Sequence, residues 1–280
     1  MRASLSIGSR PSTSAFAGSP GALFANLWRC RTILWYLIVR NLRSQYKQSA
    51  LGYAWIFLNP LAQLLTLSFV FSAVLGTPSQ KDVPFTLFAI LGLVPWIYFS
   101  NSVMAATESI SGAGSLVTMV YFPREVLTAA AVFSRLVDLA AGLVILLAAM
   151  IIAGQPVGWT ALWVLPTLLV QTLFTLGLVF PIAALNLFFH DVRFLVGVLI
   201  SLWFFVTPIM YPLEIVPEKY SLIYDLNPMS RLVASYRYAM FTGVSPPLDS
   251  LLVAGVMSVL AILIGYFLFR KMEPAFADNI

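Results

Sequence analysis

The 280-residue sequence has one cysteine, one histidine and little charge: Asp, Glu, Lys and Arg together make up 10% of it. The single cysteine, Cys30, excludes an intrachain disulfide and any zinc-ligand spacing, and reads as an unpaired buried thiol. No Gly is followed by Lys, so the phosphate-cradling loop GxxxxGK[ST] is absent and ATP hydrolysis is not expected in this chain. GxSxG and HExxH are absent as well. His190 stands in a turn beside Asp191, where capping or a surface role suits it better than catalysis. Inside the apolar runs the carboxylates are limited to Asp138, with Glu108 at the end of a run. An ion-coupled carrier needs buried ionisable relays, and these are too few. No catalytic residue and no metal site is expected.

What is present is apolar. Hydrophobic residues make up 60% of the chain, and the mean hydropathy is +0.91. A soluble domain is about 45–50% apolar and about a quarter charged, so the composition is that of an integral membrane protein. The runs are long, which points to helices; barrel strands would alternate over ~10 residues. The fold class is all-α.

Residues 1–21, rich in Ser, Gly, Pro and Ala, read as a disordered leader, with no apolar core that would make them a signal peptide. The membrane-embedded body is 22–280. Within it, 24–48 places Leu27, Ile33, Leu34, Leu37, Ile38 and Leu42 along one stripe, and Arg29, Arg31, Arg40, Arg43 and Lys47 off it. Such an amphipathic helix, with Trp28, Trp35 and Tyr36, belongs in the membrane interface. Two readings stand: lipid anchoring alone, or anchoring together with partner contact.

Six spans are expected at about 51–76, 85–107, 126–153, 161–189, 194–211 and 251–269, each near or above the ~20 residues that cross the hydrocarbon. Asn59-Pro60 should break or kink the first early. Lys and Arg in the flanks set orientation. With six spans, one side collects eleven (Arg2, Arg10, Arg29, Arg31, Arg40, Arg43, Lys47, Arg124, Arg193, Arg270, Lys271) and the other four (Lys81, Lys219, Arg231, Arg237). Both termini are thereby expected in the cytoplasm. The net charge of +5 then reports membrane orientation rather than nucleic-acid binding.

The cytoplasmic loop 109–125 is compact. Leu116, Met119 and Val120 recur at i, i+3 and i+4 on one helix face, followed by Tyr121, Phe122, Pro123, Arg124 and Glu125. A chain without its own energy source but with this loop points to a partner docking there. Arg135 and Asp138, at i, i+3 in the third run, can pair; a structural pair and a polar contact in a transport path are both open. The link 212–248 reads as two half-buried short helices, Glu218–Leu226 and Met229–Thr242, carrying Tyr220, Tyr224, Tyr236 and Tyr238. An interfacial aromatic belt is the alternative.

Five stretches in order resemble one family. They are Tyr46–Trp55 (YKQSALGYAW), Val120–Val126 (VYFPREV), Leu185–Arg193 (LNLFFHDVR), Thr207–Pro212 (TPIMYP) with Leu226–Pro228 (LNP), and Phe276–Ile280 (FADNI). They are similar to the permeases of type-2 ABC exporters for O-antigen, capsule and teichoic acid. The resemblance covers about 30–280. It implies a homodimer of six-span subunits in the cell inner membrane, bound to two copies of a nucleotide-binding ATPase that hold ATP and Mg. It implies that 24–48 is the interface helix, that 112–122 is the coupling helix, and that the two helices in 212–248 gate the outer mouth. Many relatives carry lysines before the Tyr-Phe-Pro-Arg-Glu stretch. Here Thr118 and Met119 stand there, which favours apolar docking.

The expected function is therefore the membrane subunit of an ATP-driven exporter of a lipid-linked polysaccharide, surrounded by membrane lipid and with no nucleic acid partner. Sugar rings present C–H faces to flat side chains, which makes Tyr53, Trp55, Trp96, Tyr98, Trp203, Phe204 and Tyr211 the substrate-path candidates. Lipid contact or helix packing is the competing role for each. The rival functions are export of a drug or small lipid, a membrane enzyme acting on lipid-linked sugars, and a stand-alone carrier.

Overall fold

A computed structural model describes residues 20–47, 49–70, 84–113, 122–241 and 243–276. Nearly all of the leader, most of the loop 77–84, and residues 114–121 of the expected coupling helix lie outside these.

The described residues form helices and short 3-10 turns. They are α1 (Pro20–Arg29), α2 (Arg31–Tyr46), α3 (Trp55–Ser68), α4 (Phe85–Thr107), α5 (Glu125–Ser134), α6 (Leu136–Ile152), α7 (Val164–Phe188), α8 (Val192–Val206), α9 (Ser221–Asp225), α10 (Pro228–Phe241) and α11 (Leu248–Met272). Among them, four stretches are long and apolar enough to cross a membrane: Phe85–Thr107, Glu125–Ile152, Trp159–Phe188 and Leu248–Phe276. Val192–Val206 is apolar but shorter.

The amphipathic segment is two helices that meet at Cys30. Leu27 and Leu37 are buried, Leu34 and Ile38 pack on the core, and Trp28, Trp35 and Tyr36 are exposed. Four of the six stripe residues read from the sequence thus form the packed face, while Ile33 is exposed, Leu42 is not part of the core, and the aromatics face outward.

Several boundaries differ from the sequence expectation. α3 continues past Pro60, which lies inside the helix and lacks the N–H that would donate to Ile56 O. The third run is interrupted at Arg135, whose N–H donates to Val132 O at 3.1 Å, while Ser134 Oγ donates back to Ala131 O at 2.7 Å. A serine hydroxyl that occupies a backbone carbonyl disturbs the helical ladder. α8 stops at Val206, not near Tyr211, because Pro208 excludes helical backbone at the residue before it; Thr207 is extended at φ −97°, ψ 131°. α7 starts at Val164 after a 3-10 turn, Trp159–Trp163. α11 is longer than expected at both ends.

The most extensive packing joins α7 to α11. Two glycines permit it. A Cβ on Gly265 would overlap the Gly177 carbonyl, and one on Gly177 would overlap the Ala261–Ile262 peptide. Small residues let helix backbones touch where lipid supplies no hydrophobic drive.

α4, α5–α6, α7, α8 and α11 alternate in direction. One end gathers α1, the start of α5, the α7–α8 link and the end of α11. It carries Arg29, Arg31, Arg124, Arg193, Arg270 and Lys271, and is called the basic end below. The opposite end gathers the start of α4, residues 207–212 and α10.

Candidate functional site

Three polar arrangements stand out in a largely apolar bundle. The first lies at the basic end. Glu125, the first residue of α5, is completely buried. Its Oε1 accepts from Asn26 Nδ2 of α1 at 2.9 Å and from the Tyr266 hydroxyl of α11 at 3.2 Å. Its Oε2 is buried and has no hydrogen-bond partner among the described residues. Next to it Arg124 donates to Glu273 O at 2.9 Å and lies over the Phe276 ring. Arg270 pairs with the Glu273 carboxylate. Cys30 is half-buried here; burial, and then the Glu125 charge, push its thiol up. The amphipathic helix, the start of α5 and the end of the last helix are therefore joined through one carboxylate. Glu125 and Arg124 were read from the sequence as docking residues. Glu125 instead turns its side chain into the protein, and Phe122 packs against the core. Leu116, Met119, Val120 and Tyr121 lie outside the described residues.

The second arrangement holds the far end. Tyr236 of α10 is completely buried. It donates to Gln171 Oε1 at 2.8 Å, and Gln171 Nε2 donates to Pro95 O at 2.8 Å. Arg237 donates to Pro208 O at 2.8 Å and to Ile209 O at 2.6 Å, with its guanidinium 3.6 Å from the Phe88 ring centroid. Asn227 caps α10, accepting from Met229 N at 3.1 Å and from Trp203 Nε1 at 3.0 Å. An Asn before a proline at the first helical position is a recognisable helix start, so this cap was legible. Gln171, inside a continuous apolar run, carried no such signal. The expected gate helices thus differ: α10, with Tyr236, is largely packed, whereas Leu222, Ile223 and Leu226 around α9 are exposed. Tyr220 and Tyr238 are exposed as well.

Trp96, Phe99, Phe174, Trp203 and Phe204 form one aromatic cluster between α4, α7 and α8, with ring centroids 5.3–6.1 Å apart. Of the seven path candidates, Trp96 and Tyr98 are buried and Trp203 and Phe204 pack on the core. Within one subunit these serve helix packing. Tyr211 meets Tyr224, hydroxyl to hydroxyl at 3.0 Å, which brings a path candidate against a gate candidate. Tyr53 and Trp55 are exposed.

The third arrangement is a cleft of about 120 Å³ between α3, α4 and α6, reached also by the end of α2. Trp55, Asn59 and Gln63 follow at i, i+4 and i+8 along α3, so they share a face. Asn101 of α4 and Asp138 of α6 complete the polar lining. Behind it Arg135 donates to Gln45 Oε1 at 2.7 Å and pairs with Asp138 at 3.4 Å. The sequence-predicted pair therefore forms, and it sits at the edge of this cleft. Single amides in apolar runs were not singled out from the sequence; only the fold places three of them together.

No group of three or more His, Cys, Asp or Glu side chains that could hold a metal occurs among the described residues.

The chain matches the ABC-2 type transporter family over residues 32–241. It is 33% identical over 261 residues to the O-antigen export system permease protein RfbA of Myxococcus xanthus, covering 92% of this chain and 99% of that one. It is 29% identical over 241 residues to a protein of the same name from Klebsiella pneumoniae, covering 85% and 91%. It is 26% identical over 245 residues to the polysialic acid transport protein KpsM of Escherichia coli, covering 85% and 93%.

Proposed function

Because the chain belongs to the ABC-2 type transporter family, we propose that it is the membrane-spanning subunit of an ATP-driven exporter that moves a lipid-linked polysaccharide across the cell inner membrane. The observation that carries this reading is the near end-to-end similarity to an O-antigen export permease. Similarity to a polysialic acid transport protein supports a glycan rather than a drug or small lipid.

The working unit in this reading is a homodimer of six-span subunits bound to two ATPase subunits, with ATP and Mg held by the partners. Both termini are cytoplasmic, and the basic end faces the cytoplasm. Beside the four long apolar stretches, the remaining two spans are the first, to whose described part α3 belongs, and the fifth, α8. The α1–α2 segment lies in the inner interface, with Trp28, Trp35 and Tyr36 toward lipid. Residues 112–122 dock into the ATPase, and 212–248 closes the outer mouth. ATP drives the cycle only by binding the partner more tightly in one transport state than in the other. Motion at 112–122 passes to the bundle through the start of α5, where Glu125 ties α1 to α11.

The test is purification from native membranes and deletion in the source organism. Recovery of a tightly held nucleotide-binding subunit, together with loss of surface polysaccharide and accumulation of its lipid-linked form inside the deletion strain, is the expected result. Robust transport by the lone polypeptide overturns the reading.

A further inference from the structure

The cleft between α3, α4 and α6 is a polar site on segments built for lipid. Asn59, Gln63 and Asn101 are exposed, and no hydrogen bond is formed by their side chains to any other described residue. An amide left facing hydrocarbon is strongly unfavourable, and polar groups at membrane depth face an aqueous cavity, a partner or a substrate. Asn59 and Gln63 point the same way along α3 as Trp55, which is 40% exposed. Asn101 faces them from α4. A single surface amide would be unremarkable; three that converge beside an indole and a carboxylate need an occupant.

The charge balance says what kind. Among the described residues, no Lys or Arg lines the cleft. Arg135, just behind it, is engaged with both Gln45 and Asp138, so the site as a whole is close to neutral, with a carboxylate on its wall. An anionic phosphate finds no cationic partner there. Amides donate and accept together, as sugar hydroxyls do, and Trp55 offers a flat apolar face beside them. The volume is below the ~300–1,000 Å³ of a pocket that takes a whole drug-sized ligand, so it holds one end of something larger. The cleft lies toward the basic end, near Gln45 of the amphipathic segment.

We infer that this cleft is a recognition subsite for an uncharged glycan end, taking hydroxyls of the lipid-linked sugar on Asn59, Gln63 and Asn101 with a ring against Trp55, while the lipid anchor stays outside it. The inference rests on the exporter reading and adds to it where within one subunit the sugar is first held.

The test uses the subunit assembled with its ATPase in lipid nanodiscs and two radiolabelled probes: a polyprenyl-diphosphate disaccharide and the same polyprenyl diphosphate without sugar. The wild-type complex should hold the glycosylated lipid tighter by on the order of tenfold or more, the loss anticipated when two or three hydrogen bonds go. The triple variant N59L/Q63L/N101L should hold both probes alike, while Asn59→Gln, which keeps the amide, should retain the preference. Recovery of each variant with its ATPase shows that it has folded. A preference undiminished in the triple variant overturns the cleft alone. A wild-type complex with no preference overturns it too, and the deletion strain's surface polysaccharide then decides separately whether the exporter reading stands. In a Cys30→Ser background, Asn59→Cys should form no intersubunit disulfide on mild oxidation; a disulfide-linked dimer would show that a second copy fills the cleft, and overturns the inference.

Discussion

Asn26 of the amphipathic segment donates to Glu125 at the start of α5 across 2.9 Å, a bond between residues 99 positions apart. With Tyr266 on the same oxygen, it joins the helix expected in the interface to the last span at the final residue of the expected docking loop. A connection of this kind lets a push on the loop reach two other elements without any rearrangement of the apolar core.

Glu125→Gln keeps an acceptor at Oε1 for both donors and replaces only Oε2, which has no partner among the described residues. Its melting temperature in detergent should equal or exceed that of the wild type. Glu125→Leu leaves Asn26 and Tyr266 without their acceptor and should cost about 2–3 kcal/mol, read as a lower melting temperature. The same charge raises the Cys30 thiol, second to burial. Removing it in Glu125→Gln lowers that value, so more thiolate is present at a given pH. Maleimide labelling of Cys30 at neutral pH should become faster, with the pH–rate profile displaced to lower pH. An unchanged profile would mean that burial alone sets the reactivity.

Arg135 and Asp138 are mostly buried, their side chains 21% and 16% exposed. Removing Asp138 takes the counter-charge from Arg135, which keeps only its bond to Gln45, and removing Arg135 takes the counter-charge from Asp138. Arg135→Leu or Asp138→Leu should each lower stability by about 2 kcal/mol, and the double variant should lose less than the sum of the two. A thermal-denaturation cycle measures the coupling. Additive losses would show that the pair contributes nothing as a pair.

The two glycines at the α7–α11 crossing leave no room for a side chain. Gly177→Val and Gly265→Val should each destabilise by about 2 kcal/mol or more and reduce the yield of folded protein. Gly255 on α11 has open space around it, and Gly255→Ala should be tolerated. Size-exclusion profiles and melting curves distinguish the three.

Hydropathy and the periodicity of single segments were readable directly. The stripe Leu27, Leu34, Leu37, Ile38 and the split at Asn227-Pro228 reappear as packed face and helix start. Apolar runs alone do not mark where a helix is interrupted from within, which is why the Ser134–Arg135 discontinuity was read as unbroken helix and Asn59-Pro60 as a break or kink. Both outcomes depend on which backbone groups find other partners. The site was less legible for a related reason. Charge and aromatic character in a sequence do not say which way a side chain turns. Glu125 reads as a loop carboxylate, and Trp96 and Tyr98 read as lining, yet all three face inward. The converging amides Asn59, Gln63 and Asn101 are isolated in sequence and become neighbours only through the packing of α3 on α4 and α6.

Docking of the partner ATPase is best tested at Met119. Phe122 is half-buried against the core, so an acid there would disturb folding as well as contact and could not separate the two. Met119 shares its expected helix face with Leu116 and Val120, and a lysine does not stand there, so the docking proposed is apolar. Burying an aspartate in such a contact without a partner is strongly unfavourable. Met119→Asp should abolish co-purification of the ATPase while the subunit still inserts and melts as the wild type does. Met119→Leu, apolar and close in volume, should keep the complex. If the aspartate variant still assembles, the energy-supplying partner must grip another part of the basic end, and the exposed residues of α2 become the next place to look.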